Sequence, residues 1–500
     1  MNTAKIFYFT LQDEQTKEEK LDWFERTRFE DIPFDRVTPD CKANWINLTD
    51  NDFDSLLPLI DKAVKAGKSQ EAVFQLFSAG VKTQRDEWVY DFSKDALIER
   101  MKYFVEVYQE RLEQGKRREL DIKWDRELNK YIERKIPKKY KYSSVVLSSW
   151  RPFIKKYFYS DKHFNGMTYQ IPNIFNQDRK NATIQILVLT KYAISVAGTK
   201  KTAFFTLLCK FILFVAYKYK TALNASSAPE YLQEDNAVIF CTDVGTQSPF
   251  ILTAADCIPN LHLVGTTAQC LPLYRYDENG NRIDNITDWG LTQFQTHYND
   301  STITKEAIFH YTYAVLHHPT YRSKYELNLK REFPRLPFYP DFQQWAAWGK
   351  ELMDLHLNYE TIEPYPLRRI EKGSAKAKSE AAVQESLLPT AAPDSSKPIK
   401  PTVPKAKLKA EKTEGKILVD TATTLEGVPA IAWEYKLGNR CALEWILDQY
   451  KEKKPKDPTI AKLFNTYKFA DYKESVIDLL QRVCTVSIKT MELIKQMPTE

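Results

Sequence analysis

Between Arg134 and Lys156 the sequence reads RKIPKKYKYSSVVLSSWRPFIKK, with eight Lys and Arg and no acidic residue. That run alone carries +8, more than the +6 of the whole chain (72 Lys+Arg against 66 Asp+Glu). Lys138, Lys139, Lys141, Arg151, Lys155 and Lys156 are interleaved with Tyr140, Tyr142, Trp150 and Phe153. Lysine and arginine pair with phosphates and release counterions, arginine reads guanine edges, and aromatic rings stack on or wedge between bases. The pattern points to nucleic acid; a solvated loop and a contact with an acidic protein surface stay open as alternatives. A second cluster, PTYRSKYELNLKREFPRLPF over 319–338, gathers Arg322, Lys324, Lys330, Arg331 and Arg335. Its alternative is a solvent face on which these cations pair with Glu326 and Glu332.

Residue sets that would carry out catalysis are missing from the sequence. It has no G-x-x-x-x-G-K-[ST] phosphate loop, no N-P-P-Y-type motif to hold a flipped adenine, and no G-x-G turn for S-adenosylmethionine. No acid-acid-Lys set stands out as a nuclease metal site. His317 and His318 are neighbours on a helix and point different ways, which argues against metal ligation. The chain is expected to catalyse nothing alone, with no catalytic, cofactor-binding or metal-binding residue. The seven cysteines (41, 209, 241, 257, 270, 441 and 484) form no CxxC pair. That argues against zinc and disulfides and fits a reducing cytoplasm. Matches to the glycosylation pattern, such as Asn285-Ile-Thr, read as chance without a signal peptide. The apolar stretch Ala203–Tyr217 is interrupted by Lys210 and falls short of the ~20 residues that span a bilayer.

Positioning these groups requires a mixed α+β fold. Lys5–Thr10 reads as a short buried strand and Ser55–Ala66 as an amphipathic helix with Leu56, Leu57, Leu59, Ile60 and Val64 on one face. Phe74–Ser93 reads as strand, glycine turn, polar loop and second strand, and a helical segment runs from Asp95 to about Tyr142. Residues 143–300 favour strands, with Asp277–Gly280 as a hairpin turn. Residues 304–360 return to helix, with Thr304 as N-cap. From 371 to 415 the chain is rich in Lys, Ala, Pro, Ser and Glu, and no aromatic residue occurs between Tyr365 and Trp433. This stretch reads as a linker or disordered insertion. Order resumes at Lys416, and a last helix is expected around Tyr472–Val483. Tyr192–Leu208 and Val238–Thr253 share a strand, Gly-Thr turn and apolar pattern, consistent with a duplication or with two unrelated hairpins. Near the end, EYKLGNRCALEWILDQYKEKKPKDPT (434–459) is a turn at Leu437-Gly438-Asn439 and then a helix. Its apolar face is Leu443, Ile446, Leu447 and Tyr450, and its charged end is stopped by Pro455 and Pro458.

As a string, Glu434–Thr459 closely resembles the end of the C-terminal specificity region of type ISP restriction-modification enzymes. The likeness extends to LFSAGVKTQRDEWVYDFS (76–93) and to SSWRPFIKKYFYSDKHFN (148–165), where Trp150 stands in place of the usual Tyr of a Y-R-P-F motif. It continues through QCLPLYRY (269–276), TDWGL (287–291), HYTYAVLHHPTYRSKY (310–325) and FNTYKFADYKESVIDLLQRV (464–483). The resemblance implies that residues 1–110 are the trailing edge of a methyltransferase region and its connector. It implies a target-recognition domain over 111–370, with an insertion at 177–235, then the linker at 371–415 and the rest of the specificity domain over 416–500. Such a chain would bind double-stranded DNA at a short asymmetric site and present the adenine to a methyltransferase/translocase encoded elsewhere. Lys138, Lys139, Lys141, Arg151, Lys155, Lys156, Arg322, Lys324, Arg331 and Arg335 would contact the DNA, mostly at phosphates. S-adenosylmethionine, ATP and Mg2+ would belong to the missing parts. Alternatives are a fragment that completes an N6-adenine methyltransferase in trans, and a non-functional remnant of a truncated gene.

Overall fold

A computed structural model describes residues 5–12, 14–39, 52–115, 117–175, 236–372 and 404–499. It is mixed α+β, with two hydrophobic cores that share a wall. The wall is an antiparallel sheet of Ser78–Ala79, Ala268–Pro272, Val238–Thr242 and Leu252–Ala255, in that order. Successive side chains of a strand point to opposite faces. Val238 and Phe240 therefore enter one core while Ile239 and Cys241 enter the other. Burial on both faces explains why this strand reads VIFCT rather than as an apolar-polar alternation.

One core holds the helices Lys305–His317 and Phe342–Leu357 against Phe53, Leu59 and Phe74. Thr304 caps the first of these helices by accepting from the Ala307 amide at 3.1 Å. Buried polar groups are paired across elements: the Tyr313 hydroxyl lies 2.6 Å from His356 Nδ1, and His356 Nε2 lies 3.0 Å from Thr490 Oγ1. His317 Nδ1 reaches the Tyr313 carbonyl at 2.8 Å, whereas His318 Nε2 reaches the Pro498 carbonyl. The two neighbouring imidazoles thus serve different partners.

The other core lies between a second sheet, a long helix Lys94–Gln114 and the C-terminal helix Phe469–Gln496. That sheet orders Ile258–Pro259, Val145–Arg151, Ile154–Tyr159 and Tyr90–Asp91; its first pair is parallel and the others antiparallel. An outer antiparallel meander of Arg368–Glu371, Thr423–Glu426, Lys416–Asp420 and Ala406–Glu411 covers one side. The hairpin turn at Asp277–Gly280 forms as its residues require, with Gly280 at φ +81° joining Tyr274–Tyr276 to Arg282–Asp284.

Several expectations are corrected. Ser55–Ala66 is not one helix: Leu57–Pro58 pairs with Arg335–Leu336, Ile60 bridges to Phe74, and only Lys62–Lys65 is helical. Pro58 has no amide hydrogen to donate in a helix, and Leu59 beside the strand pair is fully buried. Ile6–Tyr8 is a strand paired with Asp35–Val37, but it is not buried, with Phe7 56% exposed. The presumed linker is ordered at both ends. Glu371 closes one strand and Ala406–Glu411 forms another, in which only Leu408 is fully buried, so the strand needs no continuous apolar run. The last helix is longer than expected, reaching Gln496. The insertion at 177–235, the stretch Ala203–Tyr217, the first copy of the internal similarity and residues 373–403 lie outside the described residues. The second copy, Val238–Thr253, is a hairpin in the shared wall.

Candidate nucleic-acid interface

The basic run folds into a hairpin. Val145–Arg151 turns through Phe153, which adopts φ +60°, into Ile154–Tyr159. Its cations have unequal surroundings. Lys138 pairs with the buried carboxylate of Asp161 at 3.0 Å. Lys155 lies 3.0 Å from both Asp256 and Glu360. Burial works against its charge, but Asp256, Cys257 and Glu360 outweigh burial and hold the ammonium above the usual lysine range. Arg151 is turned inward, donating to the Trp150 carbonyl at 2.5 Å and to Asn260 Oδ1 at 3.1 Å, and burial lowers its pKa. Lys139 and Lys141 remain exposed.

The second cluster belongs to the other core and is similarly engaged. Arg322 donates to the Leu316 carbonyl at 2.7 Å, lies over Phe250, and is lowered by burial. Lys324 pairs with Asp52 at 2.9 Å; hydrogen bonds to Asp52 and Tyr325 raise it. Arg335 donates to the Asp54 carbonyl at 3.2 Å and so clamps the segment preceding Leu57. Arg331 is exposed at the rim of a shallow depression. Thus Lys139, Lys141 and Arg331 are exposed, while the protein itself engages the others.

Lys156 is different again. Its ammonium lies 4.3 Å from the Phe92 ring centre and 4.6 Å from that of Trp150. No carboxylate stands within ion-pair distance among the described residues. Burial pushes it down to about 7; Asp91 opposes the shift and Arg151 and Arg100 reinforce it. Lys156 opens into a cleft of about 240 Å³ whose walls include Tyr90, Phe92, Trp150, Phe464 and Tyr467. Trp150 Nε1 donates to Gln449 Oε1 at 2.8 Å, tying the hairpin to the helix Ala442–Gln449. Lys451, Lys453 and Lys454, which follow that helix, form the rim of the cleft. Sequence reasoning took the KEKKPKDP run only as a helix stop. The charge was visible there, but its position opposite the hairpin was not.

Among the described residues no group of three His, Cys, Asp or Glu could hold a metal ion, and no helix is long and apolar enough to cross a membrane.

The fold is thus mixed α+β, with an aromatic-floored cleft lined by five cations and three carboxylates. Residues 72–215 and 214–479 match the family described as the Type ISP C-terminal specificity domain, and the chain belongs to that family. Among solved structures it is similar to DrdV in a DrdV–DNA complex, at 39% identity and a TM-score of 0.73, over 99% of this chain and 43% of that one. A nuclease-deletion mutant of the Type ISP restriction-modification enzyme LlaGI, in complex with a DNA substrate mimic, matches at 23% identity. Its TM-score is 0.65, over 100% of this chain and 39% of that one. The ATP-dependent Type ISP enzyme LlaBIII bound to DNA matches at 23% identity and 0.64, over 93% and 25%. The last two support the fold alone. The chain spans less than half the length of each of these proteins. No curated protein matches.

Proposed function

We propose that this chain recognises a specific site in double-stranded DNA and presents the target adenine to a methyltransferase/translocase region carried elsewhere. The observation that carries the reading is the 39% identity, over 99% of the chain, to a protein solved as a DNA complex. Lys139, Lys141 and Arg331, whose charges are exposed, are the cations of the two basic clusters best placed for phosphate contact. Residues 1–110 are assigned to the trailing edge of the methyltransferase region and its connector. S-adenosylmethionine, ATP and Mg2+ are assigned to the partner regions, and the assembly to the cytoplasm.

The test is selection from random and genomic duplex libraries at graded salt. Enrichment of one short sequence is expected. Binding that depends on salt alone, with no enriched site, removes site recognition.

A second reading, completion of an adenine methyltransferase in trans, is favoured by the N-terminal segment. Phe7 on a two-stranded ribbon, Phe24 on the helix Lys17–Arg26 and Phe29 in the turn Phe29–Asp31 are 56%, 57% and 77% exposed. An apolar surface of this kind marks a docking face. The occupant assigned to it is the methyltransferase region, because this chain accounts for only 43% of the DrdV chain.

A further inference from the structure

We propose that the loop carrying Lys451, Lys453, Lys454 and Lys456 grips the phosphate backbone of a bound duplex. Lys82 and Lys123, the latter also donating to the Gln84 carbonyl at 2.7 Å, continue the contact on the far side of a ridge at Asp86–Glu87. The inference rests on the DNA-recognition reading and adds the surface that performs it.

The loop is held by its backbone. Tyr467 donates its hydroxyl to the Tyr450 carbonyl at 2.7 Å, and the Phe469 amide donates to Glu452 at 2.9 Å. The Lys456 and Asp457 amides donate to the two oxygens of Glu87, each at 3.0 Å. Asp457 accepts from Trp88 Nε1 at 2.8 Å and caps the helix Pro458–Leu463 through the Thr459 and Ile460 amides. The carboxylates of Glu87, Glu452 and Asp457 are therefore occupied by backbone and indole donors rather than by the lysines.

The four lysine side chains are exposed. Among the described residues Asp448 is the one carboxylate within ion-pair distance of them, 3.6 Å from Lys453 and 4.0 Å from Lys451, and it is shared with Arg440 at 3.4 Å. Lys454 and Lys456 have no ion-pair partner among the described residues. Their situation is the reverse of that of Lys138 and Lys155, whose carboxylates are matched one to one or better.

The cleft beneath the loop supplies Lys156 from its aromatic floor. Across the ridge lies a second depression of about 570 Å³, lined by Lys82, Lys123, His262 and Lys456. Asp86 and Glu87 line both, so the two adjoin at this ridge. Glu87 is already bound to loop amides, and Asp86 accepts from the Thr83 hydroxyl. The acids are held by donors of the protein itself and keep their charge, while the loop lysines stand beside them on a preordered backbone, which loses little conformational freedom on binding a polyanion.

The experiment measures duplex binding by fluorescence anisotropy across a salt series. It compares the native chain, Lys451→Ala/Lys453→Ala/Lys454→Ala, and Lys139→Ala/Lys141→Ala. Each phosphate contact adds about 0.9 to the slope of log affinity against log salt, so the triple variant should lose about 2 to 3 of that slope. Affinity at low salt should fall about tenfold or more, with the melting temperature unchanged. Lys454→Ala alone, expected to remove about one contact, serves if the triple variant does not fold. An unchanged slope in a native chain that binds DNA overturns the loop assignment and leaves the functional reading standing. A triple variant that loses only its methyltransferase partner makes the loop a protein-docking element and also overturns it. A native chain that binds no duplex removes both.

Discussion

Lys156 shows how far a residue's surroundings alter its charge. An ordinary lysine titrates at 10.5, but this one, crowded by Phe92, Trp150, Arg151 and Arg100 with only Asp91 and Asp86 opposing, is brought to about 7. Unfolding takes up a proton wherever the pH lies between those two values. The native chain is therefore penalised increasingly as the pH falls from about 10.5 to about 7, and uniformly below that. Lys156→Met should stabilise the fold by about 1–2 kcal/mol near pH 7, the worth of roughly one pKa unit, because the ammonium is partly open to the cleft. The gain should shrink toward pH 10. Thermal melts of both proteins at the two pH values decide it: an equal gain at both, or a loss at pH 7, contradicts the burial argument. Ten cations were singled out from sequence, yet composition could not show that Asp161, Asp256, Glu360, Asp52 and Asp54 lie opposite four of them. Those carboxylates lie between 23 and 281 residues away along the chain.

At the level of elements, local rules worked where a segment's partners are its own neighbours. Thr304, Asp277–Gly280 and the helix Ala442–Gln449 follow from capping, turn chemistry and periodicity. They failed where a distant strand competes. Leu57–Pro58 leaves helical geometry because Arg335–Leu336 offers a pairing edge, and Ala406–Glu411 is ordered because Lys416–Asp420 does the same. The contact between the helices Lys305–His317 and Phe342–Leu357 makes the same point. Gly349 has no side chain because a Cβ there would overlap the His310 carbonyl oxygen of the facing helix. Gly→Ala within a helix ordinarily stabilises by about 0.5–1 kcal/mol. Here Gly349→Ala should instead cost about 1–3 kcal/mol, as overpacking does. Denaturant midpoints measure it, and a stabilised variant would falsify the close approach.

The whole molecule is organised by one sheet that serves two cores, so residues 53–77 fold with the helices beyond residue 300 rather than with their neighbours after 80. Its N-terminal ribbon has exposed aromatics instead of a core. If that face receives the methyltransferase region, co-expression of the two chains should give co-purification and N6-methyladenine, with neither from this chain alone. Phe24→Glu/Phe29→Glu should abolish both while leaving duplex binding intact. No methylation with the partner present and co-purifying would end the trans-complementation reading. The family, the mixed fold class and the presence of basic, aromatic-laced segments are all determined by sequence alone, because they depend on local strings and on residue type. Which lysines keep a free charge, and that KEKKPKDP faces the hairpin at 145–159, depended on folding. Long-range pairing brings carboxylates to some cations and leaves others open, and no spacing along the chain encodes that distance.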